Sequence, residues 1–256
     1  MTMGTAATMT ALAEAIGFTL PGASSIPAPD SNHVRMAMEC GERAVQMVWD
    51  DLKPSTFLPR QSFENAIAVD MAIGGSTNFV IHLLAIAGRM GVALDLKDFD
   101  HLSADIPLIA NLQPSGKYFM EDFYYAGGLP AVMKALHDKL HHGALTVTGK
   151  PLHDSYAEAK IWKDDVITTP DKPFKKETGL VVLHGNLCAD GAVMKPSAAT
   201  PRLMKHTGKA VVFENIEDYH ARIDDEDLPV DADSVRKTEK SDGADAVVPM
   251  EPKCYC

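Results

Sequence analysis

The apolar pattern of this 256-residue chain changes period part-way along its length. Up to about Lys150 the apolar residues recur at helical spacing, and from Gly179 they fall into short β-branched runs. A 3.6-residue stripe and a two-residue alternation bury different faces, so such a chain divides into a helical part and a strand-rich part. Met9, Leu12, Ala13 and Ile16 share one face of a helix that stops at Gly17. Residues 19–30 hold Pro21, Gly22, Pro27 and Pro29 and read as loop. Ser31 caps a long helix predicted to reach Leu52, with Val34, Met38, Val45 and Val48 as its apolar stripe. A third helix is predicted from just after Ser62 to Ile73, with Glu64 in its first turn, broken by Gly74-Gly75. Ser76 or Thr77 then caps a fourth, with Val80, Leu83, Leu84 and Ala87 on one face. Residues 106–111 and 145–148 read as short strands, and Gly128-Leu129-Pro130 opens a helix with Val132, Leu136 and Leu140 inside.

Four segments follow from this pattern. Residues 1–150 form the helical part, and 151–178, rich in proline turns and mixed charge, form a linker or a winding excursion. Residues 179–235 carry the strands Leu180-Val181-Val182-Leu183, Ala192-Val193-Met194 and Ala210-Val211-Val212-Phe213, and Asn215 caps a short helix to about Ile223. Residues 236–256 are polar and unpatterned, which predicts a disordered tail. The net charge of −11 disfavours nucleic acid and anionic membranes as partners. No apolar run is long enough to span a bilayer, and the N-terminus lacks the basic start and apolar core of a signal peptide. The four cysteines, Cys40, Cys188, Cys254 and Cys256, form no disulfide framework, so a cytoplasmic location is expected.

The segment Gly74-Gly75-Ser76-Thr77-Asn78 is the most informative for chemistry. Two glycines let the chain turn closely, and the helix that follows offers free N–H groups beside two hydroxyls, a setting for a carboxylate or phosphate. The same residues also suit a plain helix–helix corner with a Ser/Thr cap. His184-Gly185-Asn186-Leu187, after an apolar strand, reads as a ligand approach or as a turn. Glu121 and Asp122 read as the acidic start of a helix more readily than as metal ligands. His137 and His141 lie four apart, half of a zinc site, but no third ligand follows at suitable spacing. Cys254-Tyr255-Cys256 sits in the unpatterned tail. No nucleophile elbow, Walker loop or dinucleotide fingerprint occurs.

Several stretches together resemble the dihydroxy-acid and sugar-acid dehydratases, the family that includes 6-phosphogluconate dehydratase. They are Met3-Gly-Thr-Ala-Ala-Thr-Met9, Phe63-Glu-Asn-Ala66, Ala72-Ile-Gly-Gly-Ser-Thr-Asn78, Met120-Glu-Asp122 with Ala126-Gly-Gly128, Gly179-Leu-Val-Val-Leu-His-Gly-Asn186, Asp190-Gly-Ala-Val-Met-Lys195 and Ala210-Val-Val-Phe-Glu214. Their order agrees with the family to about Val235. Tyr124-Tyr125 and Gly128-Leu129-Pro130 look most like the arabinonate dehydratase branch. The resemblance implies an α/β N-terminal domain followed by the start of a β-barrel C-terminal domain. It also implies a hydro-lyase that turns a 2,3-dihydroxy acid or aldonate into a 2-keto-3-deoxy acid plus water, in a homo-oligomer. Gly75, Ser76, Thr77 and Asn78 are the residues expected to meet the sugar acid.

Family members hold a [2Fe–2S] cluster on three cysteines and a Mg²⁺ on acidic residues and a modified lysine, and a serine takes the C2 proton. None of Cys40, Cys188, Cys254 and Cys256 stands at a family ligand position. The segments that carry the cluster, the Mg²⁺ ligands and the serine fall before Met1 or beyond Val235. The resemblance thus implies an interior fragment, catalytically inactive by itself and without catalytic or metal-ligating residues of its own. The alternative is a non-catalytic sugar-acid-binding or oligomerisation subunit.

Overall fold

The computed structural model describes residues 1–176, 180–186, 188–196, 199–231, 233–238 and 246–249. They fall into two compact units, Met1–Val181 with Lys195–Ser197, and Val182–Met194 with Ala198–Cys256. The first unit is built from helices α1 (Thr5–Ala15), α2 (Ser31–Trp49), α3 (Pro54–Phe57), α4 (Arg60–Ile73), α5 (Phe79–Arg89), α6 (Leu96–Ser103), α7 (Met120–Tyr125) and α8 (Gly128–Ala135).

Helix α4 is the centre of this unit. Eleven of its fourteen residues are buried, so it is enclosed on every side rather than along one stripe. Phe63, Ala66, Ile67, Val69, Met71 and Ile73 supply its apolar surface. Ala11, Leu12 and Ala15 of α1, Leu83 of α5, Phe99 of α6 and Leu129 with Val132 of α8 complete the surrounding core. Asn65, fully buried, sits among these apolar neighbours and turns both ends of its amide to one residue. Its Oδ1 accepts from the His141 N–H at 2.7 Å and its Nδ2 donates to the His141 carbonyl at 3.2 Å. Glu14, on α1, accepts from the Gly22 and Ser24 N–H groups and so ties down the proline-rich loop. Burial pushes its carboxyl above the usual carboxylate range, and the hydrogen bonds around Ser24 and Gly22 oppose that rise.

The structure differs from the sequence reading at several places. Helix α1 runs from Thr5 and ends at Ala15, with Ile16 at its cap position, two residues short of the stop expected at Gly17. Asp30, not Ser31, caps α2, its carboxylate accepting from the Asn32 N–H, and α2 ends at Trp49. Helix α4 starts at Arg60, so Glu64 lies beyond its first turn and bonds Arg60 and His141 instead. The strands predicted at 106–111 and 145–148 are isolated bridges: Leu108 pairs with Lys175, Ala110 with Ile167 and Leu145 with Pro151. Within 151–178, the described residues are a packed excursion rather than a linker. Leu152, Tyr156, Val166 and Ile167 are buried, and Asn111 and Thr168 exchange backbone hydrogen bonds with Val166 and Ile109.

Helix α2 lies on the surface with no buried residue. Its inner side is Met36, Arg43 and Met47, with Arg43 donating to the Val147 carbonyl at 2.6 Å. The predicted stripe faces the other way. Val34, Met38, Val45, Val48 and Trp49 are 60% to 79% exposed.

In the strand-rich part, β1 (Val181–Gly185) and β2 (Cys188–Met194) form a two-stranded sheet. A three-stranded sheet runs β3 (Ala210–Phe213), β4 (Val235–Thr238), β5 (Ala246–Pro249), with β3 parallel to β4 and β4 antiparallel to β5. Helix α9 (Ile216–Arg222) carries the expected Asn215 cap, which accepts from the Asp218 N–H. Val211, Phe213 and Leu228 form the small core there, with Tyr219 and Ile223 against it. Strands β4 and β5 occupy stretches that the sequence reading leaves without order, since the β-branched Val247-Val248 pairs once β4 is beside it. The remainder of that tail, 239–245 and 250–256, lies outside the described residues, as does Gly179. Among the described residues the two sheets do not close into a barrel. No helix among them is long and apolar enough to cross a membrane.

Removing the Asn65 amide leaves a backbone N–H and C=O without their partners inside the unit. Asn65→Ala is expected to lower stability by about 2–4 kcal/mol. Urea unfolding followed by circular dichroism measures this, and an unchanged midpoint would show that water replaces both bonds.

Candidate functional site

Helix α4 ends where its sequence runs into two glycines. Gly74 takes a left-handed conformation, φ 63°, and closes the helix through its N–H to the Asp70 and Met71 carbonyls. Gly75 is buried for a different reason. A Cβ there would stand 2.1 Å from Asp70 Oδ1 and 2.8 Å from Thr8 Cγ2. The corner therefore fits against the buried Asp70 side chain only without a methyl group.

Beyond the glycines the chain meets the start of α1. The Ser76 N–H donates to Thr8 Oγ1 at 2.9 Å, the Ser76 and Thr5 hydroxyls lie 3.2 Å apart, and Asn78 Nδ2 donates to Thr5 Oγ1 at 2.8 Å. Helix α5 starts at Phe79 with Asn78 at its cap position, so neither Ser76 nor Thr77 is the cap residue predicted from sequence. Ser76 Oγ instead accepts from the Asn78 N–H at 3.3 Å, and Thr77 offers its carbonyl to the Val80 N–H. Neither α1 nor α5 has an acidic residue in its first turn or a side-chain cap. Two helix N-termini without an acidic side chain thus meet beside three polar side chains. The Asn78, Phe79 and Val80 N–H groups of α5 are taken up by Ser76 and Thr77, and it is the helix dipoles that leave positive partial charge there. A cleft next to Gly74 is lined by Ile73, Asn111, Ser115, Gly116 and Lys175.

Behind the corner stand the buried Asp70 and the half-buried Lys195. Asp70 is enclosed, and its Oδ1 has no hydrogen-bond partner among the described residues. Burial drives its carboxyl well above the usual range, and the neighbouring Lys195 opposes that shift. Burial likewise lowers the Lys195 ammonium, opposed by Asp70 and reinforced by Lys175. Lys195 Nζ donates to the Gly74 carbonyl at 2.5 Å and the Gly75 carbonyl at 2.9 Å.

The other sequence candidates are placed elsewhere. Asp122 accepts from the Phe119 N–H at the start of α7, a helix-start role. His141 Nε2 meets Glu64 at 2.7 Å, and His137 stacks on His142 with ring centroids 4.0 Å apart, so the two do not share a site. Burial, then His137 and His153, hold the His142 imidazolium below its ordinary value. His184 and Gly185 end β1, and Leu187 lies outside the described residues. Cys40 is exposed on α2 and Cys188 begins β2, whereas Cys254 and Cys256 lie outside the described residues. Among the described residues no three His, Cys, Asp or Glu side chains converge as metal ligands. The described thiols do not fit a three-cysteine iron–sulfur cluster, nor the described acids a Mg²⁺ site.

The family profile for the dihydroxy-acid/6-phosphogluconate dehydratase N-terminal domain matches residues 1–155. The chain belongs to this family. The profile for the C-terminal domain of the same dehydratases matches residues 165–239. The chain is 53% identical over 225 residues to an L-arabinonate dehydratase of Rhizobium leguminosarum bv. trifolii, covering 87% of this chain and 39% of the relative. It is 51% identical over 227 residues to an L-arabonate dehydratase of Azospirillum brasilense, covering 88% and 39%. A dihydroxy-acid dehydratase of Caldicellulosiruptor saccharolyticus is 45% identical over 218 residues, covering 84% and 40%. The chain thus spans about two-fifths of the length of these dehydratases.

Gly75, Ser76, Thr77 and Asn78 stand out in the sequence, whereas Thr5, Thr8, Asp70 and Lys195 join them only in the folded chain. Thr5, Thr8 and Lys195 fall inside the stretches that carry the family resemblance, which was the available signal. Gly75→Ala is expected to cost about 1–3 kcal/mol through overpacking against Asp70 and Thr8. A thermal melt measures the loss, and amide spectra should show the change centred on residues 74–78. A variant with parent stability and unmoved amides there would mean that the corner has room to spare.

Proposed function

We propose that this chain carries the sugar-acid-binding corner of a dehydratase and holds the carboxylate end of an aldonate or 2,3-dihydroxy acid. The observation that carries this reading is the meeting of the α1 and α5 N-termini at Thr5, Ser76 and Asn78, with neither helix capped by an acid. The dipoles at the starts of α1 and α5 favour a carboxylate at such a place, and the hydroxyl and amide side chains suit the neighbouring sugar hydroxyls. The names of the relatives support the substrate class. The reaction we assign to the complete protein removes the C2 proton and the C3 hydroxyl as water. The enol that remains tautomerises to the 2-keto-3-deoxy acid.

This chain's own residues bind and orient the acid. The described residues offer no convergent ligands for the cluster and Mg²⁺ that the resemblance implies, so turnover is not expected of this polypeptide alone. Arabinonate should bind weakly, with a dissociation constant on the order of millimolar, or about 4 kcal/mol. A Ser76→Ala/Asn78→Ala double variant should bind about tenfold more weakly. Titrations of arabinonate, gluconate and 2,3-dihydroxyisovalerate followed by the amide shifts of residues 75–78 test this. If those amides stay silent while others move, the corner is only a junction between helices.

A second reading, an oligomerisation role, is favoured by α2. Val34, Met38, Gly41, Val45 and Val48 alternate four- and three-residue steps, the spacing of a helix-pairing seam, on the side away from the body of the unit. Gly41 stands at the middle of that seam, and a Cβ there would meet no atom within 4 Å. A second copy of this chain, related by a two-fold axis at Gly41, would set Val34 against the copy's Val48 and cover the apolar side chains of both. Light scattering should find a dimer that Val45→Asp/Val48→Asp converts to monomer. A monomeric parent would mean that something other than a second copy covers α2.

A further inference from the structure

Lys195 directly follows β2, in the part of the chain matched by the C-terminal family profile, yet it belongs to the compact unit formed by residues Met1–Val181. Its ammonium is placed on two consecutive peptide carbonyls, Gly74 at 2.5 Å and Gly75 at 2.9 Å. We infer that Lys195 is a positioning residue of the corner, which fixes the peptide planes on either side of Gly75 and thereby aims the Ser76 amide and hydroxyl toward α1.

The inference follows from the planarity of the peptide. In a trans peptide the C=O and the next N–H point in opposite directions. With the Gly74 carbonyl turned to Lys195, the Gly75 N–H faces away and bonds the Asp70 carbonyl at 3.1 Å. With the Gly75 carbonyl turned to Lys195, the Ser76 N–H faces away and bonds Thr8 Oγ1 at 2.9 Å. Ser76 Oγ is then carried to 3.2 Å from Thr5 Oγ1. Two adjacent glycines have unusual freedom to flip these planes, so an external clamp has a purpose here that it would lack in a helix. Charge-assisted bonds from a compact ammonium with three donors suit two carbonyls that lie side by side.

Asp70 explains why a cation sits in this half-buried place. Its carboxyl presses on the Gly75 Cα, where a Cβ would come within 2.1 Å of Oδ1, and that oxygen receives no hydrogen bond among the described residues. The neighbouring Lys195 opposes the rise that burial imposes on the Asp70 carboxyl. The Asp70 carboxyl and the two glycine carbonyls gather their oxygens behind the corner, where Lys195 Nζ meets both carbonyls. The front, at Thr5 and Ser76, faces the starts of two helices and their dipoles.

The part of this inference that concerns sugar acid rests on the proposed function, whereas the clamp itself does not. The 256-residue chain should show Lys195 ammonium protons that exchange slowly with water and couple through hydrogen bonds to the Gly74 and Gly75 carbonyl carbons. In Lys195→Met the Ser76 amide resonance should move while that of Val69, inside α4, stays in place. Arabinonate affinity should fall about tenfold. An ammonium that exchanges as fast as that of exposed Lys53, or a folded Lys195→Met whose Ser76 amide is unmoved, overturns the inference. Should the variant fail to fold, the parent's ammonium exchange and couplings decide it alone. A parent with the couplings but no arabinonate binding would sink the proposed function and leave the clamp standing.

Discussion

The enclosure of α4 is the constraint on which the first unit depends. A helix buried on all sides has no solvent face to absorb adjustment, so its ends become fixed points for whatever is attached to them. At its start Arg60 bonds Glu64 and Asp98, anchoring α4 to α6. At its midpoint Asn65 holds the backbone of His141. At its end the two glycines turn the chain directly into the candidate site. The precision of the corner is thus inherited from core packing rather than created by the loop itself.

That corner has two electrically distinct sides. On one side, backbone carbonyls and the Asp70 carboxyl gather around a single ammonium. On the other, N–H groups and hydroxyls from α1 and from residues 76–78 come together. The division follows from the peptide itself, whose dipole cannot offer both ends in one direction. Burial then amplifies it, because charge and partial charge act more strongly where water is excluded.

Much of this was legible in the sequence, and what was not has a physical reason. The break of α4 at Gly74-Gly75 and the Asn215 cap are local effects, encoded within a few residues. Lys195 and Gly74 are 121 residues apart, and Thr8 and Ser76 are 68 apart, so no local pattern announces either contact. Residues 106–111 have the apolar content of a strand, but their partners at 166–175 come from a proline-rich stretch that looks like a linker until it is seen folded. The α2 stripe was readable as a stripe. Which way it points was not, since periodicity defines a face without saying what lies against it.

The excursion through 151–176 has a practical consequence for dividing this protein. The two family profiles leave a gap between residues 155 and 165, an inviting place to separate the domains. The folded boundary is later, because Val166, Ile167 and Lys175 supply hydrogen-bonded neighbours for the backbone of 108–111. Lys195 returns to the same unit later still. A gene cut at the gap would expose Leu108, Ile109 and Ala110, buried here, and would remove the cation behind the site. The structural boundary at Val181 therefore lies about twenty residues beyond the gap between the two profiles, so a cut placed by sequence similarity alone would fall inside the first folded unit.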